Sequence, residues 1–98
     1  MDKLYEYRKH GRTFRLFQRM RNVAIFRCSE LSAFSPFEVI LIQSHNGREI
    51  AGRIVPPREY PPSDAQWGSK GWTFRTEEAA VAKFERLVAH ELEGKSGE

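Results

Sequence analysis

The side chains best equipped for chemistry in this 98-residue chain are three histidines, one cysteine and an adjacent pair of carboxylates. Their spacing works against all of them. His10 and His45 fall in glycine-containing turns and His90 near the end of a helical pattern, none beside a cysteine or acid at metal-ligand spacing. A lone Cys28 in an apolar strand cannot anchor zinc and reads as inert filling. Glu77 and Glu78 are helix neighbours, so they point in different directions and make a poor carboxylate pair. No Gly-x-Ser-x-Gly, Walker-type or dinucleotide fingerprint is present. The expectation is a protein that is not an enzyme, with no catalytic residue, cofactor or metal.

The residues whose type and spacing do suggest a task are basic. Arg8, Lys9, Arg12, Arg15, Arg19 and Arg21 are interleaved with Tyr7 and Phe17. A side-chain period of two puts Phe14 and Leu16 on one side of a strand and Arg15, Phe17 and Arg19 on the other. Two guanidinium groups would then flank a ring, a face able to contact phosphates while the ring stacks on an unpaired base. The expected partner or nucleic-acid contact is therefore Arg8, Lys9, Arg12, Arg15, Phe17, Arg19 and Arg21. The plainer alternative is a solvated strand face, or one turned to an edge because Phe17 lies under a helix.

Charge distribution points the same way. The net charge of +3 conceals a gradient: residues 1–30 hold eight Lys/Arg against three Asp/Glu, and residues 76–98 hold three against six. Such asymmetry accompanies anionic partners, or opposite charges that simply face each other across a fold. A second candidate surface is residues 56–63, where Pro56, Pro57, Pro61 and Pro62 surround Tyr60. That segment favours extended polyproline geometry, suited to docking a protein partner or to wrapping a sheet.

The elements that must position these residues form one α+β domain at 1–93, followed by a flexible C-terminal tail at 94–98. The first half reads as an antiparallel meander: residues 5–8, a turn at His10-Gly11, residues 13–19, a turn at Arg21-Asn22, and residues 23–28. A Ser-containing connection at 31–36 leads to residues 37–42, apolar on nearly both faces and suited to a central strand. His45-Asn46-Gly47-Arg48 signals a hairpin, with residues 49–55 pairing back and Gly52 as a bulge or close-approach site. Residues 67–84 carry two tryptophans around a turn, a short aromatic strand, and a helix capped by Thr76. Ala80, Val81, Phe84, Leu87 and Val88 give that helix one apolar stripe, running to about Leu92. The expected architecture is an antiparallel sheet of four to five strands packed on one C-terminal α-helix.

One cysteine permits no internal disulfide, which favours a reducing compartment. No apolar run approaches a membrane span and no signal-peptide layout opens the chain, so a cytoplasmic location is expected. The stretch from Tyr60-Pro61-Pro62-Ser63 through Trp67-Gly68-Ser69-Lys70-Gly71-Trp72-Thr73-Phe74 to Lys83-Phe84 resembles the C-terminal signature of small uncharacterised proteins of bacteriophages and bacterial mobile elements. The resemblance implies no activity. It implies a small accessory protein, in the host cytoplasm if phage-encoded, that engages a host or phage protein or nucleoprotein complex, for example as inhibitor of a bacterial defence system. The alternative is direct RNA or DNA binding by the basic N-terminal strands.

Overall fold

A computed structural model of the chain describes residues 3–29, 36–45 and 47–96. Alternating polar and apolar residues build β1 (Glu6–Lys9), β2 (Arg12–Met20) and β3 (Val23–Cys28), joined by turns in which His10 and Arg21 take positive φ of 52° and 55°. The left-handed residue of the second turn is thus Arg21, although Asn22 beside it is the type that adopts such angles more readily. The Arg21 carbonyl accepts a hydrogen bond from Arg19 Nε at 2.6 Å, and that of Asn22 accepts the Ile42 N–H at 2.7 Å.

The apolar run 37–42 supplies β4 (Phe37–Leu41), which lies inside the sheet as its composition requires. Its neighbours are β3 and a strand from far along the chain. The segments between form two small ribbons: β5 (Gln43–His45) pairs with β8 (Arg58–Tyr60), and β6 (Arg48–Ile50) with β7 (Arg53–Val55). Residues 49–55 are therefore not one strand. Ala51 and Gly52, with φ of 51° and 79°, form the turn between β6 and β7, so Gly52 is a turn residue and not a bulge. Asn46 of the expected hairpin, and residues 31–35 of the Ser-containing connection, lie outside the described residues.

The main sheet closes with β9 (Gly71–Phe74), giving five antiparallel strands in the order β1-β2-β3-β4-β9. α1 (Glu77–Ser96) follows, its start fixed by the Ala79 N–H donating to Thr76 Oγ1 at 3.2 Å. The helix passes the expected end near Leu92 and includes residues 94–96; residues 97–98 lie outside the described residues. The fold is α+β, one sheet against one helix.

Each face of the sheet carries its own apolar cluster, because side chains of β3 and β4 alternate between them. On one face α1 lies over β3, β4 and β9, burying Ala80 and Phe84 against Val23, Ile25, Phe37 and Val39. On the other, Tyr7, Phe14, Phe26, Ile40 and Ile42 pack together beneath Leu4 and the half-buried Trp67. α1 stops short of β2, whose helix-side residues Arg15 and Met20 are exposed, as is Phe17 between them.

Candidate functional site

β2 departs from strict alternation. Leu16 stands opposite Phe26 and Gln18 opposite Ile25, so Phe17 is an extra residue in a β-bulge. The bulge reverses the side-chain parity of the rest of the strand. Arg19 comes opposite Ala24, on the Trp67 face, while Arg15 stays opposite Arg27 on the helix face. The expected alignment of Arg15, Phe17 and Arg19 on one face is thereby corrected: the bulge sends Arg19 through to the other side.

The seven basic and aromatic residues singled out by sequence are accordingly divided. Lys9, Arg12 and Arg19 belong to the Trp67 face, Arg8 and Arg15 to the helix face, Phe17 to the bulge, and Arg21 to the turn after β2. Among the described residues, four of them have hydrogen-bond partners within the fold, Arg15 through the exposed Glu6 and the other three as follows. Arg8 folds back on its own hairpin, donating to Thr13 Oγ1 at 3.1 Å and the Gly11 carbonyl at 3.2 Å. Arg19 Nη1 and Nη2 fork onto the two oxygens of buried Glu59 at 2.7 Å each, and the Leu4 N–H adds a third donor at 2.9 Å. The Arg19 hydrogen bonds are the main reason the Glu59 carboxyl is lowered from 4.5 to about 2. Lys9 Nζ lies 3.2 Å from Glu38 Oε2.

Glu38 sits on an inner strand and is almost fully buried. It accepts the Tyr7 hydroxyl at 2.5 Å and the Thr73 hydroxyl at 3.5 Å as well as the Lys9 ammonium. Burial first, then the Glu38 carboxylate, pushes the Tyr7 phenol well above its ordinary range, so it remains a donor. Trp67 completes the group: its indole N–H donates to Thr73 Oγ1 at 3.0 Å, and Lys9 Nζ lies 3.1 Å from its ring centroid. A Cβ on Gly71 would come within 2.4 Å of the same ring, so this residue must be glycine for the indole to lie flat. A cavity of about 360 Å³ opens beside Lys9, Arg12, Phe14, Glu38 and Trp67. Its Lys9 ammonium and Glu38 carboxylate already satisfy each other, while Arg12 is exposed.

The remaining arrangement is different. Arg15 and Arg27 stand directly opposite each other on β2 and β3, lining a hollow of about 320 Å³ with Phe17 and Ser29. The Arg27 guanidinium lies 5.8 Å from the Phe37 ring centroid. Phe17 meets the same ring edge-on, centroids 6.0 Å apart, and keeps 41% of its surface exposed. Arg15 Nε donates to Glu6 at 2.8 Å, but this pair stands in water and contributes little. Two guanidinium forks are the donors suited to an anion, and the exposed ring is an aromatic surface beside them. Arg27 was not among the sequence candidates. Its only signal is that it shares a strand face with Val23 and Ile25, and the cross-strand register that brings it to Arg15 is not local.

No group of three or more His, Cys, Asp or Glu among the described residues is placed to hold a metal ion. None of the described helices is long and apolar enough to cross a membrane. Comparison with protein-family models, with curated proteins and with solved structures found no match.

Proposed function

We propose that this chain is a non-enzymatic binding protein that engages a nucleoprotein partner through the hollow formed by Arg15, Phe17 and Arg27. The observation that carries the reading is the direct opposition of Arg15 and Arg27 across two neighbouring strands. Like charges so placed cost stability in the free protein, offset in part by the exposed Glu6 that stands opposite Arg15 on β1. An anion seated between them turns that cost into charge-assisted hydrogen bonds. A small accessory protein of a phage or mobile element, acting in the host cytoplasm, fits this reading, and inhibition of a defence complex that carries nucleic acid is one such role.

Retention on immobilised heparin under a salt gradient tests the reading. Arg27→Gln and Arg53→Gln each remove one exposed positive charge, the second from the β6–β7 ribbon. Arg27→Gln should elute at clearly lower salt than Arg53→Gln. Equal shifts would mean that diffuse net charge, and not the hollow, attracts the polyanion.

A further inference from the structure

Resting on that reading, we infer that the hollow takes a single-stranded nucleic acid, with a phosphate between Arg15 and Arg27 and a base on Phe17. The inference comes from what lies beside the two arginines. A surface that reads only phosphate gains nothing from an exposed ring, because the bases of a duplex are stacked inside it. Phe17 is held in place by the bulge on one side and by the edge-on Phe37 ring on the other, yet remains 41% exposed. Base stacking on such a ring tolerates any sequence, since every base has a π face.

The geometry is local enough for one nucleotide. Arg15, Phe17, Arg27 and Ser29 line the same hollow of about 320 Å³, and the Ser29 N–H is bonded to the Thr13 carbonyl at 2.9 Å. The phosphate site is thus built on paired backbone, and the stacking ring on the bulge residue between two paired neighbours, Leu16 and Gln18. Arg27 also lies over the Phe37 ring, 5.8 Å from its centroid, the same ring that Phe17 meets edge-on. Among the other basic groups near β2, Lys9 and Arg19 are held by buried carboxylates and Arg8 is folded onto its own turn, whereas the Glu6 that Arg15 meets is itself exposed. Arg12 lines the Trp67-face cavity, where no second arginine among the described residues stands beside it.

The experiment is fluorescence anisotropy with short labelled single strands of RNA and DNA, their duplexes, and poly-glutamate, each across a salt series. Single strands should bind at least about five-fold tighter than the matched duplex, given the affinity carried by one stacked base. Phe17→Ala should weaken single-strand binding by roughly five- to a hundred-fold and leave the salt slope unchanged. Phe17→Trp, which keeps a stacking surface, should restore it. Arg27→Gln should instead lower the slope of log K against log salt by about 0.7, the value of one lost phosphate contact on a single strand. Whether RNA or DNA binds better distinguishes the two sources of the same chemistry. Equal affinity for duplex and single strand, with Phe17→Ala neutral, overturns the stacked-base inference and leaves an anionic partner standing. Poly-glutamate binding as tightly as nucleic acid transfers the hollow to an acidic protein and also overturns it. Failure of every nucleic acid to bind at low salt overturns both this inference and the proposed function.

Discussion

On the Trp67 side of the sheet, Lys9 and Arg19 each meet a buried carboxylate, at 3.2 Å in Glu38 and 2.7 Å in Glu59. On the helix side, Arg15 meets Arg27. The two arrangements share strands, backbone geometry and residue types, so the contrast lies in their surroundings. Lys9 and Arg19 have side chains only 18% exposed and must be compensated, because an unpaired charge taken out of water is costly. Arg15 is 71% exposed and water screens its neighbour. The first region spends its charges on tying β1, β4, β9 and the Trp67 turn together. The second leaves its charges in water, with Arg15 paired to the exposed Glu6.

The sharpest way to break this contrast is to remove one buried partner. Glu38→Ala leaves the Tyr7 hydroxyl and the Lys9 ammonium without their acceptor. It should lower unfolding free energy by about 3–5 kcal/mol, the range for disrupting a buried pair from one side. Urea denaturation measures it. A loss below about 1 kcal/mol, the size of a surface ion pair, would erase the distinction between the two regions.

Arg19→Met should cost less, about 2–3 kcal/mol, because Glu59 keeps the Leu4 N–H and some access to water. It carries a pH signature as well. The folded Glu59 carboxyl lies at about 2, below its ordinary 4.5, so its contribution is present above 4.5 and fades as pH falls toward 2. Removing Arg19 returns the folded value toward ordinary. The stability gap between wild type and Arg19→Met should therefore narrow on acidification through that window. A gap independent of pH would mean that the Arg19 effect is packing of its stem alone.

A backbone version of the same test is Gly71→Ala. The added methyl would overlap the Trp67 ring, whose nearest carbon lies 2.4 Å from the ideal Cβ position. Displacing the indole should cost about 1–3 kcal/mol, as overpacking does, and should loosen Lys9 from the ring. An unchanged melting temperature would show that Trp67 moves freely and does not fasten the Lys9–Glu38 group.

The contrast also separates what was legible in the sequence from what was not. Local patterns were sufficient for the meander, for the Thr76 cap and for the helix stripe, since all five stripe residues pack in the helix-side cluster. They were insufficient wherever a distant partner decided the outcome. The Asn46-Gly47 turn signal drew residues 49–55 toward β4, but β9 fills that ladder from thirty residues downstream and leaves 48–55 to pair with themselves. The bulge at Phe17 has no composition of its own. Yet this one inserted residue sends Arg19 to Glu59 and makes Arg27, three places into an apolar strand's alternation, the true neighbour of Arg15. Sequence located the basic strand correctly and mispaired its charges, because alternation is local and register is not.

The smallest effect is the most informative. Arg27→Gln removes one of two like charges that stand opposite each other and leaves the strand, its ladder and the Phe37 contact surface in place. If the fold does not use this charge, stability should stay within about 0.5 kcal/mol of wild type or rise slightly, as relief of a like-charge pair would give. Arg15→Gln should behave similarly, offset by its solvent-exposed bond to Glu6. Combining the two should add little, since the repulsion is already gone after the first substitution. A double-mutant cycle in urea measures this coupling directly. A coupling near zero would mean that the guanidinium groups splay apart in solution and form a hollow only when an anion gathers them. A destabilisation above about 1 kcal/mol for either arginine would instead place it among the structural charges, alongside Lys9 and Arg19.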